Sequence, residues 1–246
     1  MDGKEITPTP FQKYLMKKYD LNRCNCILAA RQSYLTSTNF MYIANEMIKR
    51  PINVQYYLHN TRTAKGFCTN FFKEFQHFDL EMKSQNVVES TYSRIEFLSS
   101  RQFITRDWTD IMIFDNFAHY KNFDQILNGI SELSSYTTSK IIVTTSMRRG
   151  FTPFLKFWFN CFTDKNPFQP FILPWDSVKG RDLDFRNEML MNVGTEYWKS
   201  EFECKGTKPT EASVSNFKRV LIEKYPHLKT EVIDSICRDA TDYFTM

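Results

Sequence analysis

Three short apolar runs constrain this 246-residue chain more than any other feature: Cys26-Ile-Leu-Ala-Ala30, Ile111-Met-Ile-Phe-Asp115 and Lys140-Ile-Ile-Val-Thr-Thr145. Each is nearly continuous rather than alternating, and helical patterns separate them. Continuous runs of this length suit strands buried on both faces, and helical crossovers make such strands parallel. The expected fold class is therefore α/β, a mostly parallel sheet with helices on both faces.

The remaining elements follow from periodicity. Phe11 to Lys18 reads as a short helix with Phe11, Tyr14 and Leu15 on one face. Asn39 to Arg50 reads as a helix presenting Phe40, Ile43, Ala44 and Met47, and Pro51 stops it. Ile52 to Leu58 alternates like a strand, and Thr63 to Phe78 carries a core stripe of Ala64, Phe67, Phe71, Phe72 and Phe75. Val87-Val88 and Arg94 to Leu98 suggest an antiparallel pair. Phe123 to Leu133 and Pro153 to Phe162 read as helices, and Phe168 to Leu173 as the last strand. One or two polar-faced helices fill 181–204, Thr207-Lys-Pro209 resembles a linker, and Ser213–Glu223 and Thr230–Phe244 suggest a two-helix tail. The expected division is a main domain over 1–207 and a helical tail over 208–246.

Composition narrows the function classes. The net charge of +4 permits nucleic-acid binding without demanding it, because no Lys/Arg block stands out. Seven glycines leave little material for a Gly-rich loop. Cys24 and Cys26 share one side of a strand, but no second Cys or His pair completes a zinc set, so free thiols in a cytoplasmic protein are expected. Met1 to Glu5 does not resemble a signal sequence, and no apolar run approaches the roughly 18–20 residues that span a bilayer, so no membrane partner is expected.

Strand, turn and helix in succession at 23–50 is the context of a phosphate loop, in which backbone N–H groups and a helix N-terminus cradle phosphate oxygens. Ala30-Arg-Gln-Ser-Tyr-Leu-Thr-Ser37 supplies hydroxyls at Thr36 and Ser37 and one cation at Arg31. Tyr34 and Leu35 stand where glycine and lysine are expected. On residue types alone, a strand-to-helix turn capped by Ser or Thr accounts for the stretch equally well. Asp115 sits where a parallel strand ends, the edge at which ligands of open α/β sheets bind. The residue after it is Asn116, whose amide can orient a water but cannot accept its proton. Thr144-Thr145-Ser146 places three hydroxyls at the same edge.

The order and spacing of these pieces resemble the ATPase domain of tailed-phage terminase large subunits of the T-even type. Phe11-Gln12 precedes the Arg31–Ser37 loop by eighteen residues, Ile113-Phe-Asp-Asn-Phe-Ala118 follows, and then Lys140–Thr145 and Phe154-Leu-Lys-Phe-Trp158. Pro174-Trp-Asp-Ser-Val178 and Tyr197-Trp-Lys-Ser-Glu201 with Gly206 are similar to later segments of that family. The resemblance covers about residues 11–207. It implies a phosphate-loop NTPase fold that takes ATP and Mg²⁺. Gln12 would meet adenine; Arg31, Gln32, Ser33, Thr36 and Ser37 would meet phosphate; Thr36 and Asp115 would serve magnesium; Thr144 and Thr145 would couple phosphate state to movement.

Leu35, Tyr34 and Asn116 depart from the family pattern at the lysine, a glycine and the catalytic acid. Losing lysine and acid together removes orders of magnitude of phosphoryl-transfer rate. The expectation is an impaired ATPase domain in which ATP and Mg²⁺ bind weakly or not at all, acting as a binding or regulatory component of viral DNA packaging. The alternatives are a divergent active packaging ATPase, with Arg31 standing in for the lysine, and a repurposed DNA- or protein-binding module. Expected partners are phage DNA, an active terminase or a portal, with oligomerisation allowed. Arg101, Arg106, Arg148 and Arg149 are the candidate nucleic-acid contacts because they fall in loops. The family's nuclease domain is not expected in the roughly 40 residues after 207.

Overall fold

The computed structural model describes residues 7–103, 108–146, 153–161 and 166–204, together with 218–219, 222, 229–231 and 233–234. Eight strands form one sheet: β1 (Cys24–Ala29), β2 (Asn53–Leu58), β3 (Glu81–Ser84), β4 (Val87–Glu89), β5 (Arg94–Ser99), β6 (Ile111–Asp115), β7 (Lys140–Thr145) and β8 (Phe168–Leu173). Their spatial order is β3-β4-β5-β2-β6-β7-β1-β8. All pairings from β5 across to β8 are parallel, and β3, β4 and β5 join antiparallel at one edge. The strand β3 escaped the sequence pattern because Glu-Met-Lys-Ser is short, polar and mostly exposed.

The helices are α1 (Pro10–Leu21), α2 (Leu35–Lys49), α3 (Thr61–Phe75), α4 (Phe123–Tyr136), α5 (Pro153–Asn160), α6 (Leu183–Val193) and α7 (Thr195–Glu201). Alternate strand residues divide between two layers, as strand geometry requires. Cys24, Cys26, Leu28, Phe114 and Val143 pack against Ile126, Ile130 and Leu133 of α4 and Phe154 and Trp158 of α5. Ile27, Ala29, Tyr56, Ile113 and Ile142 pack on the opposite face against Leu15 of α1, Phe40 and Ile43 of α2, and Phe71 of α3. Cys24 and Cys26 thus share one side and are buried free thiols.

Several element boundaries move for local reasons. Thr9 caps α1 through a capping box with Gln12, and Pro10 occupies the first turn, so the helix starts early and runs to Leu21. Its buried stripe is Gln12, Leu15 and Tyr19, while Tyr14 is 52% exposed, contrary to the expected face. In α3, Ala64, Phe71 and Phe75 are buried but Phe67 and Phe72 only half-buried. The helix α2 begins at Leu35, four residues before the expected Asn39, because the Thr-Ser-Thr run joins its first turn. Most of the expected tail, 208–246, lies outside the described residues, as does the linker at 207–209. Among the described residues, no helix is long and apolar enough to cross a membrane.

Candidate functional site

The C-terminal ends of β1, β6 and β7 converge on a cleft of about 660 Å³. One wall is the turn from β1 into α2. Gln32 and Tyr34 in that turn hold left-handed backbone, at φ 60° and 57°. That conformation costs a side-chain-bearing residue about 1–2 kcal/mol. Tyr34 is the N-cap of α2, and no side chain caps the helix there. The expected Ser/Thr cap is absent; instead the Thr38 hydroxyl donates back to the Tyr34 carbonyl at 2.9 Å. The helix N-terminus thus opens onto the cleft, with Leu35, Thr36 and Ser37 among its lining. Leu35 also packs on the core layer around Phe40, so an aliphatic contact occupies the place expected of the lysine.

The floor is Asp115, 2% exposed. Its Oδ2 accepts hydrogen bonds from the hydroxyls of Thr36 at 3.0 Å and Tyr56 at 2.6 Å, and its Oδ1 accepts from Thr144 at 3.0 Å. Burial raises the carboxyl above its ordinary 3.8, against hydrogen bonds from Tyr56, Thr36, Thr144 and the Asn116 backbone that lower it. The network continues inward: Asn39 Nδ2 donates to the Tyr56 hydroxyl at 3.3 Å, and the Tyr19 hydroxyl donates to Asn39 Oδ1 at 2.9 Å. Burial pushes the Tyr19 and Tyr56 phenols well above their ordinary value, so both stay neutral. Asn116, at φ 57°, follows the strand and lines the cleft with an amide. The Thr145 hydroxyl accepts the Ala118 N–H at 3.2 Å, tying β7 to the turn after β6.

The far wall comes from residues that sequence reasoning passed over. Arg181 donates to the carbonyls of Arg31 at 3.3 Å and Gln32 at 2.6 Å, and its guanidinium lies 4.9 Å from the Phe185 ring centroid. Lys179 and Gly180 line the cleft beside it. Arg31, by contrast, turns toward α7: its guanidinium donates to the Tyr197 hydroxyl and lies 4.0 Å from the Glu201 carboxylate. Its backbone N–H donates to the Glu201 carbonyl at 2.6 Å. The one clue in the chain was Val178-Lys-Gly-Arg181, a turn pattern directly after the Trp-Asp-Ser-Val segment.

The structure thus gathers Arg31, Gln32, Ser33, Thr36, Ser37, Asp115 and Thr145 around one cleft, with Thr144 buried beneath it. Gln12 is not among the cleft's lining; its Oε1 accepts from the backbone and hydroxyl of Thr9 at the start of α1. Arg101 lines a separate groove of about 710 Å³, together with His59, Arg62, His119 and Lys121. Arg106, Arg148 and Arg149 lie outside the described residues. Among the described residues, no three His, Cys, Asp or Glu side chains cluster as a metal set.

No protein-family model matches the sequence, and no curated protein matches it. Solved structures do match in fold. A point mutant of the Thermus phage P74-26 large terminase ATPase domain superposes with a TM-score of 0.64 at 11% identity, over 82% of this chain and 95% of that one. The HK97 bacteriophage large terminase gives 0.57 at 13% identity, over 94% of this chain and 50% of that one. A large terminase from another thermophilic bacteriophage, solved in complex with ATP-gamma-S, gives 0.59 at 12% identity, over 79% and 51%. The chain therefore has the fold of a phage large terminase ATPase domain and spans about half the length of the larger terminases it matches.

Proposed function

We propose that this protein is a packaging-type ATPase domain that binds a nucleoside triphosphate in the loop cleft and turns it over poorly or not at all. It would act in phage DNA packaging as a binding or regulatory component, beside DNA, a portal or an active motor subunit. One observation carries this reading. Thr36, Asp115 and Thr144 converge at the cleft floor within hydrogen-bonding distance, while the adjoining positions 35 and 116 hold leucine and asparagine. The terminase fold and the ATP-gamma-S complex of a structural neighbour support the choice of ligand.

The residues fit magnesium in one respect. Mg²⁺ prefers oxygen ligands and keeps most of its waters, and Thr36 Oγ1 with Asp115 offers two protein oxygens at the cleft floor. Bound there, the ion would neutralise phosphate charge. Nothing at 116 accepts a proton from water, and residue 35 offers no cation to developing negative charge.

The test combines binding and turnover. Thermal unfolding with millimolar Mg-ATP should show a rise in Tm, because a ligand that binds the folded state stabilises it. Phosphate release should not exceed the buffer rate, and Leu35→Lys combined with Asn116→Glu should raise it. Wild-type turnover at the ordinary rate of about 1–10 s⁻¹, abolished in Asp115→Ala, would overturn the impaired reading in favour of an active packaging ATPase.

A further inference from the structure

We propose that Lys179 and Arg181 add, from the segment after β8, to the single engaged cation of the loop, and that they contact the outer phosphates of a polyphosphate ligand. The proposal rests on the nucleotide-binding reading above but goes beyond it, since neither residue belongs to the strand-turn-helix motif.

The argument begins with where the cations point. Arg31 is the loop's only cation; it lines the cleft, but its guanidinium is engaged by Tyr197 and Glu201 of α7. Leu35 is committed to the core layer. A triphosphate placed at the N-terminus of α2 would then meet N–H groups, hydroxyls and a single loop cation already engaged by α7. Lys179 and Arg181 line the same cleft from a different segment of the chain. Asp115 is the one carboxylate among the lining, and it accepts hydrogen bonds from Thr36, Tyr56 and Thr144.

The segment is built to hold those two side chains in place. The Arg181 N–H donates to the Val178 carbonyl at 3.2 Å, closing a four-residue turn. Gly180 is its third residue at φ +86°, the place where a type II turn requires a left-handed conformation. The segment is anchored below by stacked aromatics: Trp175 with Phe185 at 6.4 Å between centroids, and Trp198 with Phe202 at 4.8 Å. Two carbonyls of the loop and the face of Phe185 then fix Arg181 itself. Those contacts use one N–H on each terminal nitrogen, and a guanidinium has five N–H donors in all. Lys179 is exposed and makes no hydrogen bond or ion pair among the described residues, leaving its ammonium free to meet a phosphate. Arg181 thus has two tasks, bracing the loop and facing the ligand, whereas Lys179 has only the second.

That difference sets the experiment. Binding of ATP, adenosine and inorganic tripolyphosphate is measured by calorimetry for wild type, Lys179→Gln, Arg181→Lys and Arg181→Gln, with the Tm of each unliganded variant. Lys179→Gln should leave the unliganded Tm unchanged and weaken ATP and tripolyphosphate about tenfold or more, the size of one charge-assisted contact, with adenosine unaffected. Arg181→Gln should lower both Tm and polyphosphate affinity. Arg181→Lys should lower Tm but keep part of the affinity. If wild type binds ATP and all three variants bind it equally well, this inference falls and the nucleotide reading stands. If wild type binds tripolyphosphate through Lys179 but gains nothing from the adenosine moiety, the inference stands and the nucleotide reading falls. If wild type binds neither ATP nor tripolyphosphate, both fall.

Discussion

The floor and the rim of the cleft are built by opposite rules. On the floor, Asp115 and Thr144 are buried and joined to Thr36, Tyr56, Asn39 and Tyr19 by a chain of hydrogen bonds. On the rim, Tyr34 is 60% exposed, Gln32 and Lys179 are exposed, and two residues hold left-handed backbone without glycine. The departures from the terminase pattern that the sequence resembles, at Tyr34, Leu35 and Asn116, all fall among the lining of the cleft. The hydroxyls and the carboxylate that satisfy one another inside are all present. The buried hydrogen bonds that join the strand ends therefore lie on the floor, and the exposed side chains and left-handed turns on the rim.

This contrast breaks most visibly at Asp115. Replacing it with alanine strands the Thr36, Tyr56 and Thr144 hydroxyls and the Asn116 N–H, of which the buried ones each cost about 1 kcal/mol or more when unpaired. Asp115→Ala should therefore lose about 3 kcal/mol of unfolding free energy, read from urea titration. Tyr56→Phe removes a single donor from the same carboxylate and should cost about 1 kcal/mol. A larger loss for Tyr56→Phe than for Asp115→Ala would mean that the tyrosine, with its inward contacts to Asn39, is the hub instead.

The floor also has a pH signature. Burial holds the folded Asp115 carboxyl above its ordinary 3.8, so folding takes up a proton there. Its contribution to stability is fully present below the unfolded pKa and is lost as pH rises through the raised folded value. The stability of wild type relative to Asp115→Asn should therefore decline as pH rises above about 4, checked by paired urea titrations. A gap that widens with pH would place the carboxylate in a stabilising, charged environment and reverse the sign.

Much of this architecture was legible in the sequence, for a physical reason. Runs such as Ile111–Asp115 and Lys140–Thr145 are buried on both faces, and burial on both faces leaves a continuous apolar pattern that local context rarely overrides. Asp115 and Thr144 could be placed together because each lies in the last two residues of such a run, and neighbouring parallel strands bring their ends to one edge. Side-chain direction was not legible. Arg31 falls in the loop by sequence, yet its orientation depends on Tyr197 and Glu201, more than 160 residues away. Arg181 enters the cleft from a turn that carries no motif of its own. Tyr14 and Tyr19 are both aromatic positions of one short helix, and which of them is buried depends on Asn39 and Tyr42 in α2. Contacts between elements decide these matters, and periodicity records only faces.

The smallest expected effect lies at Tyr34, and it separates backbone from side chain on the rim. At φ 57° a residue with a Cβ is strained by about 1–2 kcal/mol, whereas glycine pays about 0.5–1 kcal/mol in lost chain freedom. The ring is 60% exposed, so little burial is lost with it. Tyr34→Gly should therefore stabilise the protein by roughly 0.5 kcal/mol, a rise of a degree or two in Tm. Tyr34→Ala keeps the Cβ and its strain, and should bring no gain. A Tyr34→Gly protein less stable than Tyr34→Ala would show that the turn needs a restricted residue at this position. The left-handed geometry would then be imposed by the Thr38 hydroxyl on the Tyr34 carbonyl and by Arg181 on the preceding carbonyls, rather than tolerated by the loop itself.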